Sequence, residues 1–354
     1  MTKNEHHSFN QRLSAAITWL RFPLIFLIIL LHCYSVVRLE GPRVSYFKAV
    51  YPFSLWLGET GVPGFFFISG YLFFLSKKTY GQKIKTRIHT LLIPYLLWNA
   101  LLLSLYLIAY AFGYPQKINY RNITEYGIID YIRLFWDRGT YDNGNFVPLL
   151  CPFWYIRNLL IMTILSPLIY YITKYGREFF LLVVSIWWMA TYHNAFIPQT
   201  ILFFCLGAYF SILNVNPLEW VIKNKKWILS LFILFASFDI AMHTIYATPM
   251  NLQAHRLALI FNIPALLFLA DYCVSRNYSK GFLPNAAFIV FAVHYPIVVA
   301  LRKFCAGKFA TASDITHIVL YFTCVIIATA LSLFIYVLLD RFFPKVKNIL
   351  SGNR

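Results

Sequence analysis

Charge is the scarcest ingredient of this sequence. Only 12% of its 354 residues are Asp, Glu, Lys or Arg, against roughly 25% in a soluble domain, and 60% are hydrophobic. So few charges cannot cover a compact fold of 41.4 kDa, which excludes a water-soluble globular protein and makes the bilayer its solvent. Acidic residues are rarer still, 13 against 31 Lys and Arg, for a formal net charge of +18. The basic residues lie in short clusters between long apolar runs, not in one dense patch. That pattern argues for a membrane-topology signal over nucleic-acid binding. The six cysteines include no CxxC pair and no Cys/His spacing suited to a metal, so neither a redox motif nor a metal site is expected. Cys33, Cys205, Cys273, Cys305 and Cys324 fall inside apolar runs and read as small hydrophobes. Internal repeats, heptads, low-complexity tracts and a fused soluble domain are also missing. The first apolar run, Phe22 to Val37, lacks a small-residue cleavage site after it, so it is expected to stay as a span.

What is present is a series of stretches of the kind that cross membranes, for which about 20 mostly apolar residues suffice. The candidates are Leu13 to Val37, Thr60 to Leu75, Thr90 to Gly113, Phe153 to Thr173, Phe179 to Tyr192, Ile197 to Leu213, Trp227 to Tyr246, Arg256 to Val274, Phe282 to Leu301 and Ile315 to Leu339. The expected fold is all-α: a polytopic membrane helical bundle of about ten transmembrane helices, one domain over residues 1–354 with its core at about 12–341. Cytoplasmic loops carry the excess of Lys and Arg. With the N-terminus inside, those loops hold Lys77, Lys78, Lys83, Lys85 and Arg87, then Lys174 and Arg177, then Lys223, Lys225 and Lys226, and finally Arg276 and Lys280. The short loops His193 to Phe196 and Ala247 to His255 face outward and contain no Lys or Arg. Both termini are then cytoplasmic. Two spans must separate Lys174/Arg177 from Lys223/Lys225/Lys226, which supports the short fifth candidate. Two outward loops are long, Arg38 to Gly58 and the extracytoplasmic segment 114–151. The latter is rich in Tyr, Asn and charge, including Arg121, Glu125, Asp130, Arg133, Asp137, Arg138 and Asp142; loops this long are often functional.

Ionisable groups inside spans cost on the order of 3 kcal/mol at the bilayer centre and tend to face a cavity or a partner. Arg21 and His32 stand out. Eleven residues apart, they fall on one helical face about 16 Å from each other, with Arg21 near the cytoplasmic interface and His32 near the midplane. Pro23 between them removes a backbone hydrogen bond. The bland alternative is a snorkelling Arg21 and a His32 bonded to a neighbouring helix. Asp239 and His243, one turn apart, could pair, and Asp271 sits where it would cap or pair at the inner end of its helix. In Gly61-Val-Pro-Gly-Phe-Phe-Phe-Ile-Ser-Gly-Tyr-Leu-Phe73, the small Gly64, Ser69 and Gly70, followed by Tyr71, permit close helix approach. The basic run Lys77 to Arg87 with His89 reads as a cytoplasmic loop or as a dock for a polyanionic ligand.

Taken in order, three segments resemble the acyltransferase family 3 membrane proteins: Arg21 with ten residues to His32, then Pro-Gly-Phe-Phe-Phe-Ile-Ser-Gly-Tyr-Leu, then Arg87-Ile-His-Thr-Leu-Leu-Ile-Pro-Tyr. Pro152-Phe-Trp154-Tyr155-Ile-Arg157 resembles the family's Trp-aromatic segment, and Phe291-Ala-Val-His294-Tyr-Pro296 its His near Pro in the penultimate helix. In one place the chain departs from the pattern. The family commonly carries two arginines three apart; Arg87 matches the first, while Thr90 stands at the second, leaving Lys85 and His89 as the neighbouring cations.

The resemblance implies a bacterial inner-membrane, multi-pass O-acyltransferase. It would move an acyl group, acetyl by family frequency, from cytosolic acyl-CoA to a hydroxyl of a cell-surface or lipid-linked glycan, without a metal. His32 would serve as the base, neutral imidazole being suited to removing the hydroxyl proton; direct base catalysis and an acyl-histidine relay both stay open. Arg21 would hold donor phosphate or pantetheine, with Lys85, Arg87 and His89 as further donor contacts. Gly64, Ser69, Gly70 and Tyr71 would shape the cavity wall. Trp154, Tyr155, Arg157 and His294 are acceptor-side candidates, with an aromatic belt or a structural hydrogen bond as the competing readings. The expected partners are the bilayer, acyl-CoA and the glycan, with a homo-oligomer or glycan-assembly proteins open and nucleic acid excluded. A different class also remains: an exporter or flippase of a polysaccharide or lipid-linked intermediate, with His32, Arg21, Asp239 and His294 along its path. A non-catalytic subunit of a polysaccharide assembly complex is the third reading.

Overall fold

The computed structural model describes residues 3–36, 44–118, 121–139, 146–191, 196–246, 252–276 and 281–353. Arg38, Asp142, Lys280, Arg354 and the short connections 192–195 and 247–251 lie outside the described residues. Helices dominate, and the apolar stretches named above fall largely within them. Among the described residues six helices are long and apolar enough to cross a membrane, and as many as eight spans result if each of two bent pairs counts as one. The architecture is thus that of an all-α, multi-pass membrane protein. Two features of the described helices bear on that count. One is length: the helix over the second candidate, Gly61–Leu75, has 15 residues. The other is bending, since the fourth and fifth candidates form one pair, Cys151–Ile164 and Ser166–Ala190, broken by 73°.

The chain divides into two compact units. The first comprises Met1–Leu75 and Phe203–Ile335. It contains α1 (Lys3–Cys33), α2 (Val44–Tyr51), α3 (Gly61–Leu75), the later part of α9 (Phe196–Ile212), α10 (Pro217–Lys223), α11 (Lys225–Tyr246), α12 (Leu252–Ser275), α13 (Phe282–Phe309) and most of α14 (Asp314–Phe342). Its centre is α1. Leu13, Ala16, Ile17, Leu20, Leu24 and Ile28 recur at three- and four-residue steps and are buried, a helical stripe packed on α3, α12 and α13. Half of α1's most apolar window is buried, against 17% for α11, so α11 presents most of its surface outward. At the Arg12 end of the unit, Asp271 pairs with Arg12 in a two-point contact of 2.6 and 3.0 Å. A Cβ on Gly70 of α3 would collide with the backbone oxygen of Phe204, and one on Gly207 of α9 with that of Phe67. The two glycines therefore bring the backbones of α3 and α9 into contact, as small residues do between membrane helices.

The second unit comprises Ser76–Leu202 and Tyr336–Arg354. Its helices are α4 (Tyr80–Arg87), α5 (Ile93–Ala111), α6 (Ile128–Arg133), α7 (Trp154–Ile164), α8 (Ser166–Ala190) and α15 (Pro344–Ser351). Thr79 opens α4 through a capping box: Gln82 N–H donates to its hydroxyl, and its own N–H donates to Gln82 Oε1 at 3.0 Å. The described residues of the long segment after α5 are folded. The antiparallel pair β1 (Lys117–Ile118) and β2 (Arg121–Asn122) leads to α6, and Ile118, Ile123, Leu134 and Leu149 form a small core over Leu102, Leu103 and Tyr106. The phenol of Tyr126, which donates to Ile118 O at 2.9 Å, is held above its ordinary pKa by burial, with the Arg121 guanidinium working the other way. The C-terminal helix docks on α5: Trp98 Nε1 donates to Leu350 O at 3.0 Å, and a Cβ on Gly352 would meet Thr90 Cα at 2.7 Å.

Candidate functional site

His32 and Arg21 share α1, and the helix continues through Pro23 between them. The helix stops at Cys33 and passes into a 3-10 turn, Tyr34–Val36, so His32 sits in its last turn and not midway along a longer span. The half-buried imidazole lies 5.4 Å, centre to centre, from the ring of His294 and 5.0 Å from Tyr295, which meets it edge-on. His294 is fully buried on α13, with Nδ1 2.8 Å from Phe291 O and 3.2 Å from Val290 O. Its Nε2 is buried and has no hydrogen-bond partner among the described residues. Arg21 is exposed. Within the same unit Gly64 packs against α1, where a Cβ would meet Leu24 Cδ2 at 2.8 Å. Tyr71 is buried and Ser69 half-buried.

A second polar cluster in this unit went largely unread in the sequence. Asp239, fully buried, bridges two imidazoles: its carboxylate lies 2.8 Å from His243 Nδ1 and 2.9 Å from His255 Nδ1. The other nitrogen of His255 is 3.1 Å from Glu59 Oε2. A carboxylate oxygen at each nitrogen asks both to donate, as an imidazolium does. Tyr51 donates to Asp239 at 3.0 Å and stacks on His243 at 4.3 Å; burial and the Asp239 charge push its phenol up, so it donates as a neutral hydroxyl. The i,i+4 spacing of Asp239 and His243 was visible in the sequence. Glu59, Tyr51 and His255, which join from elements roughly 16 to 200 residues away, carried no local signal. Nδ1 of His243 and both nitrogens of His255 face oxygens, and among the described residues no group of three His, Cys, Asp or Glu side chains is arranged to hold a metal.

In the second unit Lys85 and Arg87 lie on α4 and His89 on the wide turn Ile88–Leu92 that follows; Lys85 and His89 are exposed and Arg87 is half-buried. Thr90 lies beneath Gly352. Trp154 opens α7 with its face stacked on Phe196, 3.8 Å away and 7° from parallel, and Tyr155 beside it is half-buried. Arg157 is buried and fully engaged: it donates to Trp136 O at 2.7 Å, to Phe146 O at 2.9 Å and to Asn158 Oδ1 at 3.0 and 3.2 Å. It also lies over the Trp136 ring. This guanidinium ties the long segment to α7, and the sequence offered no sign of that.

With this geometry in place, comparison with known proteins adds three findings. The family model for the acyltransferase domain matches residues 14–337. The succinoglycan biosynthesis protein ExoH of Rhizobium meliloti (strain 1021) is 26% identical over 369 aligned positions, covering 96% of this chain and 92% of the relative. No solved structure matches the chain.

Proposed function

The chain belongs to the acyltransferase family, and from that premise we propose that it transfers an acyl group, acetyl by default, from cytosolic acyl-CoA to a hydroxyl of a cell-surface or lipid-linked glycan. Its place is a bacterial inner membrane, crossed by about ten spans with both termini cytoplasmic, and the whole chain acts as one catalytic domain. The relative's name, with its reference to succinoglycan biosynthesis, supports a glycan acceptor. The clustering of Lys and Arg between alternate apolar stretches supports the orientation.

The observation that carries this reading is the imidazole of His32, held half-buried at the end of an apolar helix and packed against a second histidine. In the proposed chemistry His32 removes the proton of the acceptor hydroxyl as its oxygen attacks the thioester carbonyl; a C–O bond forms, the C–S bond breaks, and the proton passes to the departing sulfur. Arg21, on the same helix, holds phosphate or pantetheine oxygens of the donor. Lys85, Arg87 and His89 add cations suited to the CoA phosphates. Gly64, Ser69, Gly70 and Tyr71 form the wall against which the donor lies, and Tyr155 and Trp154 flank the acceptor side.

The test is ester content of the surface glycan, by mass spectrometry, in cells with the wild-type gene, with His32→Ala at equal expression, and with the gene deleted. Ester lost in the last two at constant glycan yield is the expected result, and its mass identifies the acyl group. Unchanged ester with falling glycan yield would refute the reading and favour an exporter.

A further inference from the structure

We propose that His294 is the orienting partner of His32, a positioning residue that decides which nitrogen of His32 carries its proton. The inference rests on the reading of His32 as the base. It starts from an acceptor with no donor. Carbonyl oxygens only accept, so the two carbonyls at Nδ1 of His294 fix the proton on that nitrogen. A neutral imidazole carries one N–H, so Nε2 is bare and can only accept. That atom is buried without a hydrogen-bond partner among the described residues, and buried acceptors are normally satisfied.

The neighbouring ring is His32. At 5.4 Å between centres, facing nitrogens of two imidazoles approach the hydrogen-bond range of about 2.7–3.2 Å, and such contacts commonly tighten only when substrate fills a site. An N–H of His32 directed at His294 Nε2 would satisfy the orphan acceptor. It would also leave the other nitrogen of His32 bare, in the tautomer that can take a proton from a hydroxyl. When that proton arrives, His32 becomes an imidazolium, and its bond to His294 becomes the stronger, charge-assisted kind. Tyr295, edge-on at 5.0 Å, limits the tilt of the His32 ring. In this way His294, held by its own backbone, acts on the hydroxyl through His32 without touching it.

Two substitutions separate this role from packing. The amide of His294→Asn reaches the Nδ1 position and keeps a donor for Phe291 O, yet offers nothing at Nε2. The amide of His294→Gln reaches the Nε2 position with an acceptor oxygen. The assay uses protein in lipid nanodiscs, the acyl-CoA whose mass matches the ester found on the native glycan, and glycan from the gene-deleted strain. We expect His294→Asn to lower kcat by about 10- to 100-fold with the KM for acyl-CoA unchanged, as for a base left in the wrong tautomer, and His294→Gln to restore most of it. Asn as active as wild type, or more active than Gln, overturns the proposal, because the Nδ1 bond would then be all that His294 supplies. If neither variant accumulates in the membrane, 15N spectra of histidine-labelled wild type decide. A buried imidazole bare at Nε2 supports the proposal; buried rings all protonated there overturn it. Absence of transfer by wild type, with identical ester content in parent and deleted strains, would instead refute the acyltransferase reading itself.

Discussion

Arg157 offers the sharpest quantitative test, because each of its hydrogen bonds has a named partner. The guanidinium satisfies the carbonyls of Trp136 and Phe146 and the side chain of Asn158, and through them holds the chain at Trp136 and at Phe146 to α7. Lysine keeps the charge but offers a compact ammonium in place of a planar fork, so Arg157→Lys can serve one of the two part-buried carbonyls and leaves the other without its charged donor. A hydrogen bond from a charged donor contributes about 1.5–3 kcal/mol, or roughly a 10- to 150-fold change in the closed-to-open ratio of the segment at about 1.4 kcal/mol per decade. Arg157→Ala loses both, about 3–6 kcal/mol if the two add. Hydrogen–deuterium exchange in nanodiscs reads this directly at two amides that close the segment, Leu149 N–H on Leu134 O and Arg138 N–H on Val147 O, each 2.8 Å. Both should exchange faster by those factors, Ala exceeding Lys, while amides of α12, in the first unit, keep wild-type rates. Unchanged exchange at Leu149 and Arg138 in Arg157→Ala would refute the claim that this residue pins the segment and return it to the pool of glycan-binding candidates.

Other outcomes are expected. Asp239→Asn removes the shared partner of His243 and His255 and should cost about 3–5 kcal/mol of stability, seen as a lower thermal midpoint in detergent; an unchanged midpoint would show that the cluster contributes nothing to the fold. Gly70→Ala and Gly207→Ala should each destabilise by about 1–3 kcal/mol. Because one separation of α3 from α9 relieves both clashes, the double variant should cost less than the sum; full additivity would argue against a shared contact. Arg21→Ala should raise the KM for acyl-CoA about tenfold or more with a smaller change in kcat, as loss of uniform donor binding does, and an unaltered KM would remove Arg21 from the donor site.

Helices were legible because hydropathy is local. The runs of Leu, Ile and Phe over α1, α11, α12, α13 and α14 announce themselves within windows of twenty residues, and the structure places helix on each. Breaks were not legible. Pro167 stands just after the bend between α7 and α8, and Gly176 precedes Arg177, whose backbone inside α8 is left-handed (φ 45°), but a scan of hydropathy weighs neither residue as a breaker. The polar groups divide along the same line. Arg21, His32 and His294 stood out because each is costly within its own apolar run, and the structure brings two of them, His32 and His294, into ring contact. Glu59 gave no warning, since its partner His255 lies 196 residues away and neither position repeats a period. Arg157 was read by type, as a cation beside aromatics, but its engagement with two backbone carbonyls depends on how a distant segment folds back.

The close approach of α3 and α9 at Gly70 and Gly207 bears on how loss-of-function maps of this protein should be read. Two backbones that touch leave no side chain to compress, so substitutions at either position will score as severely as substitutions at the reacting histidine, although neither glycine takes part in the proton transfer. A scan by activity alone would colour the Ser69-Gly70 stretch as chemistry. Scoring membrane abundance beside activity would split that colour in two, with the glycines moving both measures and His32 moving one.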